Sequence, residues 1–131
     1  MKRRTAREKV LQGIFQVDVG NIEPNEAFLS IVKQGEDDGF LKTLFFGTID
    51  HLTELDELIG NHLENWTLDR LGRVDRNLLR IATYEMVFEK DIPYSVSINE
   101  AVEIAKKYGD EESPKFINGV LSKIKNHLES E

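Results

Sequence analysis

The stretch from Val74 to Phe88, VDRNLLRIATYEMVF, decides the fold. Val74, Leu78, Leu79, Ile81, Ala82, Tyr84, Met86, Val87 and Phe88 put apolar groups on nearly every side of a helix. A helix bordering solvent confines its apolar residues to one stripe, whereas one that is apolar almost all round is enclosed by others. The segment therefore predicts a central helix, with Asp75, Arg76, Arg80 and Glu85 emerging through gaps between its neighbours. Arg80, set among apolar residues, is expected to be paired internally.

On the N-terminal side, apolar spacing predicts the helices that wrap this centre. Thr5 followed three residues later by Glu8 reads as a capping box, so the first helix is expected just after Thr5. Val10, Leu11, Ile14 and Phe15 form its stripe, and it should end near Gly20-Asn21. Pro24 and Asn25 open a short helix carrying Ala27, Phe28, Ile31 and Val32, closed by Gly35 and followed by a polar Glu36-Asp37-Asp38-Gly39 link. From Leu41 to Leu63 a three-four spacing predicts one long helix, within which Gly47 permits a close crossing. Thr67 is expected to cap a turn through Leu68 and Leu71 that ends at Gly72.

On the C-terminal side, Asp91-Ile92-Pro93 breaks the central helix. Ser97 and Glu100 read as a second capping box for a helix striped by Ile98, Ala101, Val102, Ala105 and Tyr108 and stopped by Gly109. Ser113-Pro114 reads as a cap with proline at the first helical position. Phe116, Ile117, Val120, Leu121, Ile124 and Leu128 complete the last helix, where close packing accounts for Gly119. With no convincing strand pattern, the expectation is an all-α single domain over residues 1–131.

Charge is distributed unevenly. Lys2, Arg3, Arg4, Arg7 and Lys9 against Glu8 give the first nine residues a charge of +4, while the formal total is −7, so the remainder carries −11. A core needs neither sign, so a basic arm on an acidic body suits a protein that holds one anionic partner at a chosen place and repels polyanions elsewhere. Nucleic acid is the first candidate, since arginine pairs bidentately with phosphate and stacks on bases. Cations at a helix N-terminus oppose its macrodipole, a cost that an arriving phosphate would relieve. A merely soluble N-terminus accounts equally well for charge alone.

Other chemistries find little support. The chain has no cysteine, which excludes disulfides, a thiolate nucleophile and thiolate-ligated metals. No apolar run approaches the roughly 20 residues of a membrane span, and no signal-peptide core follows the basic start, so a cytoplasmic location is expected. His51, His62 and His127 form no metal-binding motif, and no phosphate loop or serine elbow occurs. A carboxylate metal protein built near His51 and His62 is the remaining enzyme reading, and the sequence favours a protein without catalysis. A basic row of Arg70, Arg73, Arg76 and Arg80 reads either as a second cationic face or as salt bridges to nearby acids. Phe116 follows the acidic Asp110-Glu111-Glu112 loop, where an aromatic at a helix start either stacks on a base or joins the core.

The opening RRTARE (Arg3 to Glu8) with Gln12, RLGRVDRNLLRIATYEM (Arg70 to Met86), IPYSVSINEAVEIAKKYG (Ile92 to Gly109) and SPKFINGVLSKI (Ser113 to Ile124) resemble the bacterial transcription antitermination factor NusB family over essentially the whole chain. The resemblance implies seven helices in two packed sub-bundles and a non-enzymatic RNA-binding adaptor without cofactors. It implies binding to single-stranded boxA RNA of ribosomal RNA leaders together with NusE, a small-subunit ribosomal protein, within an RNA polymerase antitermination complex containing other Nus factors. On the family pattern, RNA contacts fall on Arg3, Arg4, Arg7 and Gln12, and near the last helix on Glu112 and Phe116. NusE contacts fall on Asp75 and Arg76, and a basic partner meeting Asp75 is chemically sensible. Thr5 stands where relatives often carry another basic residue. A protein–protein adaptor with an incidental basic end, or a homodimer without specific RNA binding, remains the alternative.

Overall fold

The computed structural model describes residues 1–33 and 38–131. Among the described residues the chain forms seven α-helices, one 3-10 turn and no strand. The helices are α1 (Arg3–Gly20), α2 (Pro24–Ile31), α3 (Gly39–Asp50), α4 (Leu52–Gly60), α5 (Arg73–Phe88), α6 (Tyr94–Tyr108) and α7 (Ser113–Glu129), with the 3-10 turn at Leu68–Arg70. The expected closure of the second helix at Gly35, and the link through Glu36 and Asp37, lie outside the described residues.

The segment from Val74 to Phe88 is the centre. Every residue from Asn77 to Met86 is buried, and α5 packs against α1, α3, α4, α6 and α7. Around it, α1, α2 and α3 form one group and α5, α6 and α7 another. Phe28, Phe45 and Phe46 cluster between α2 and α3 with ring centroids 4.9 to 5.5 Å apart. Gly47 lies against the ring of Tyr84, with no room for a Cβ, so the close crossing is between α3 and α5.

The expected long helix from Leu41 to Leu63 is instead two helices broken at His51. His51 leaves helical geometry at φ −114°, ψ 19°, and its Nδ1 lies 2.9 Å from the Gly47 carbonyl. His62 does the same beyond α4, with Nδ1 2.8 Å from the Leu58 carbonyl. A carbonyl only accepts, so each Nδ1 carries the proton and donates, occupying a C-terminal carbonyl of the helix before it. Apolar spacing runs through both breaks, which hides them from a periodicity reading.

Both capping boxes are also corrected. Helix α1 begins at Arg3, two residues before Thr5, with Ala6 N donating to Lys2 O at 3.0 Å. Glu8 turns to Lys107 and Tyr108 on α6. Helix α6 begins at Tyr94 after Pro93; Ser97 donates to Glu85, and Glu100 meets Arg4 and Arg7. Thus the four residues that imitate local caps make contacts between helices or, at Thr5, occupy an exposed helical position. At α7 the cap is displaced by one residue to Glu112; the Asp110 carboxylate accepts from the backbone N–H groups of Glu112 and Ser113 at 2.9 and 3.1 Å.

Candidate nucleic-acid interface

The arginine arm is built into the fold rather than appended to it. Arg7 is 4% exposed, and its Nε and Nη2 both donate at 2.7 Å to the carboxylate of Glu85, itself 1% exposed. Ser97 adds a third donor to Glu85 at 3.1 Å. The buried charge is therefore paired in the fork geometry that suits guanidinium and carboxylate. Arg4, with 48% of its side chain exposed, donates to Glu100 through Nε at 3.1 Å and Nη2 at 2.5 Å. Hydrogen bonding from Arg4 holds the Glu100 carboxyl below its usual range. Arg3 lies over the Phe40 ring, 4.5 Å from its centroid, within cation–π range.

For Arg4 and Arg7 the relief expected from phosphate is already supplied within the fold, by Glu100 and Glu85. These contacts also remove Arg7 from the surface. Its guanidinium positions the first turn of α1 against α5 and α6, leaving Arg3 and Arg4 as the exposed arginines of the arm.

Gln12 is exposed one face further along α1, in a depression of about 520 Å³ shared with Lys9, Phe15, Val74 and Tyr108. Val74 borders this depression, and the next residue, Asp75, borders a second; Tyr108 and Asp110 flank the division in the same way. The two depressions therefore lie side by side.

The second is a groove of about 610 Å³ between the α4–α5 connection, the start of α5 and the first half of α7. It brings together Glu112, Phe116 and Asp75, which the family resemblance implies for two different partners. It adds residues that were not singled out as contacts: Trp66, Lys115 and Lys123, with Arg70 from the basic row. Asn65 adopts φ 65°, a left-handed conformation that asparagine tolerates, and Trp66 beside it is 55% exposed. A lone tryptophan between polar Asn65 and Thr67 in an interhelical link was the available signal. Phe116 is half-buried, packing on the core while bordering the groove. Gly119 also lines the groove, and a Cβ there would meet nothing within 4 Å, so close helix packing does not explain it. Burial pushes the Asp75 carboxyl up, reinforced by nearby Asp110 and opposed by hydrogen bonding from Ser113.

Arg76 points away from Asp75. Its Nε and Nη2 lie 3.1 and 2.5 Å from Asp18 Oδ2, beside Arg80, which is bidentate to Asp56 at 2.7 and 2.8 Å. The salt-bridge reading of the basic row thus holds for Arg76 and Arg80. Burial pushes the Asp18 carboxyl up, but hydrogen bonds from Arg76 and Asn77 together with the charges of Arg76 and Arg80 hold it below its ordinary range. Asp18, Asp56, Glu57 and Asp69 rim a shallow acidic depression on this side. Among the described residues no group of three metal-ligating side chains converges, and no helix is long and apolar enough to cross a membrane.

A central helix packed against five others, two exposed arginines in the first turn and an open groove holding Trp66 and Phe116 define this helical domain. The chain belongs to the NusB family, whose model matches residues 4–126. It is 54% identical over 131 residues to the transcription antitermination protein NusB of Bacillus pumilus, covering all of both chains. It is 52% identical to that of Bacillus subtilis over 98% of each. Among solved structures, a T. maritima NusB superposes with TM-score 0.87 at 41% identity, covering 95% of this chain and 90% of the other. A structure of antitermination factors NusB and NusE in complex with dsRNA matches with TM-score 0.85 at 32% identity, covering 95% and 96%.

Proposed function

We propose that this chain is a non-enzymatic transcription antitermination factor that binds the boxA RNA of ribosomal RNA leaders together with NusE. The observation that carries the reading is the groove that gathers Trp66, Arg70, Lys115 and Phe116 from separate segments. Its cations are balanced by Glu64, Asp75, Asp110 and Glu112, so it suits nucleobases better than a run of phosphates. Single-stranded bases stack on exposed aromatic rings and offer donors and acceptors along their edges. Glu112 can accept from an exocyclic amino group, while Lys115 and Arg70 can donate to base carbonyls or a phosphate.

Phosphates are assigned to the other end of the path. Arg3, stacked on Phe40, and Arg4 present guanidinium edges at the first turn of α1, and Gln12 supplies a neutral amide between arm and groove. Arg7 acts through Glu85 as a positioning residue. NusE is assigned to the surface around Asp75 and Arg76, where Asp18 and Asp56 are paired with Arg76 and Arg80 but Glu57 and Asp69 leave the depression net negative, which suits a basic partner. Because Asp75 also borders the groove, a partner there would extend the RNA surface. Assembly with RNA polymerase and other Nus factors follows from the family likeness.

The test is a groove-filling substitution. Gly119 borders open space, so Gly119→Leu places a side chain in the groove without a clash at its Cβ. Fluorescence anisotropy with labelled boxA and scrambled RNA should show preference for boxA in the parent protein and loss of that preference in the variant. Far-UV circular dichroism should be unchanged. Undiminished preference in Gly119→Leu would remove the groove from the account.

A further inference from the structure

Arg3 and Arg4 are neighbours in sequence but stand in different electrostatic states. Arg3 stacks on an aromatic face, which leaves its N–H edges available. Arg4 already holds a carboxylate in the two-point geometry that it would use for phosphate, with Glu100 at 3.1 and 2.5 Å. Glu100 is itself anchored, because Arg7 Nη1 lies 3.4 Å from the same oxygen that accepts from Arg4 Nε. Arg4, Arg7, Glu85 and Glu100 thus form a charge-balanced set of two cations and two anions. A phosphate taking this edge of Arg4 displaces a carboxylate held on the neighbouring helix, and one approaching the remaining N–H groups meets a guanidinium whose charge Glu100 already offsets.

We propose that Glu100 is a specificity-determining residue of the RNA site, an internal anion that makes phosphate capture by Arg4 conditional on contacts made elsewhere. The inference rests on the RNA-binding reading above. A polyanion without matching bases gains nothing from displacing Glu100, so it finds an arm with one effective guanidinium fewer. An RNA held by its bases in the groove is already close, and its phosphate competes for Arg4 at high local concentration. Discrimination then arises partly by suppressing the sequence-independent attraction that otherwise dominates nucleic-acid binding.

Glu100→Gln preserves shape and removes the charge. Binding to inorganic polyphosphate, scrambled RNA and boxA RNA is measured by anisotropy or competition between 50 and 200 mM salt. One additional single-strand phosphate contact steepens the log–log salt slope by about 0.7, a further change of about threefold across that range. The variant is expected to show this steepening with polyphosphate and scrambled RNA, and a reduced boxA-to-scrambled ratio. The double variant Arg4→Ala with Glu100→Gln removes both members of the pair. It should return polyphosphate binding to the parent level while weakening boxA binding. An unchanged slope in Glu100→Gln, or weaker polyphosphate binding, would overturn the proposal and make Glu100 an ordinary structural partner of Arg4. Should Glu100→Gln melt below the working temperature, the double variant decides alone: polyphosphate binding well below the parent level would mean that Arg4 contacts polyanions despite Glu100. A parent protein with no preference for boxA would instead overturn the RNA reading, while the polyphosphate comparison still reports whether Glu100 competes for Arg4.

Discussion

Arg3 and Arg7 have the same side chain four residues apart on α1, and burial gives them different tasks. Arg7→Ala leaves Glu85 charged and enclosed, which typically costs about 3–5 kcal/mol. Chemical denaturation should register that loss. Arg3→Ala removes a partly exposed cation–π contact, so its stability change should stay within about 1 kcal/mol, with RNA affinity falling instead. Thr83 is completely buried, and its hydroxyl has no hydrogen-bond partner among the described residues. Thr83→Val replaces it with a group of the same shape, and should be neutral or stabilise by about 1 kcal/mol in the same denaturation assay. Asp18 supplies a pH prediction. Its folded carboxyl lies below its ordinary range, so its contribution is complete above about pH 4 and disappears as pH falls through the folded value. Asp18→Asn should therefore lower the melting temperature at pH 7, by an amount that shrinks toward zero as both proteins are acidified. A difference that persists in strong acid would assign the effect to packing.

At the scale of elements, two glycines separate geometry from propensity. Gly47 in α3 faces Tyr84 of α5, so Gly47→Ala should cost about 1–3 kcal/mol through overpacking despite the better helix propensity of alanine. Gly119 in α7 meets nothing, so Gly119→Ala should raise stability by about 0.5–1 kcal/mol. Thermal melts of the two variants should move in opposite directions. The same contrast explains what the sequence disclosed. The central helix was legible because six of its ten consecutive buried residues are apolar and spread around the helix. Arg80 and Glu85, expected to emerge through gaps, are instead buried in ion pairs that spacing does not record. The role of Gly47 was legible because a glycine inside a long stripe is costly unless something lies close. Helix starts were misread because Thr5, Glu8, Ser97 and Glu100 match a local four-residue pattern while three of them serve tertiary contacts. No local pattern distinguishes a glutamate capping its own helix from one accepting an arginine 96 residues away. The break at His51 was hidden for a related reason: the imidazole competes with the helical ladder, and apolar spacing does not record that competition.

For the molecule as a whole, the candidate site was visible in parts and not as an assembly. Arg3, Arg4, Gln12, Glu112 and Phe116 were named from the family likeness, but their arrangement depends on α1, α5 and α7 meeting. Trp66 escaped notice because it belongs to no helical stripe, the property that leaves it exposed. Arg7 was misplaced because burial depends on the fold around it. Asp75 lines the groove and Arg76, adjacent in sequence, lines the acidic depression, so the start of α5 borders both, as does the neighbouring pair Arg70 and Asp69. The proposed binding surface thus runs from a cationic first turn past an amide and an aromatic groove to an acidic flank.

That surface is tested most directly by boxA binding with and without NusE. Fluorescence anisotropy should be measured with boxA and scrambled RNA at two salt concentrations, using this chain alone and then mixed with NusE. The account predicts that boxA is preferred, that NusE increases the preference, and that raising salt weakens scrambled RNA proportionally more than boxA. Equal, weak binding to both RNAs that NusE leaves unchanged would contradict it, reducing the groove and the arginine arm to features of the fold and moving the function to protein contacts.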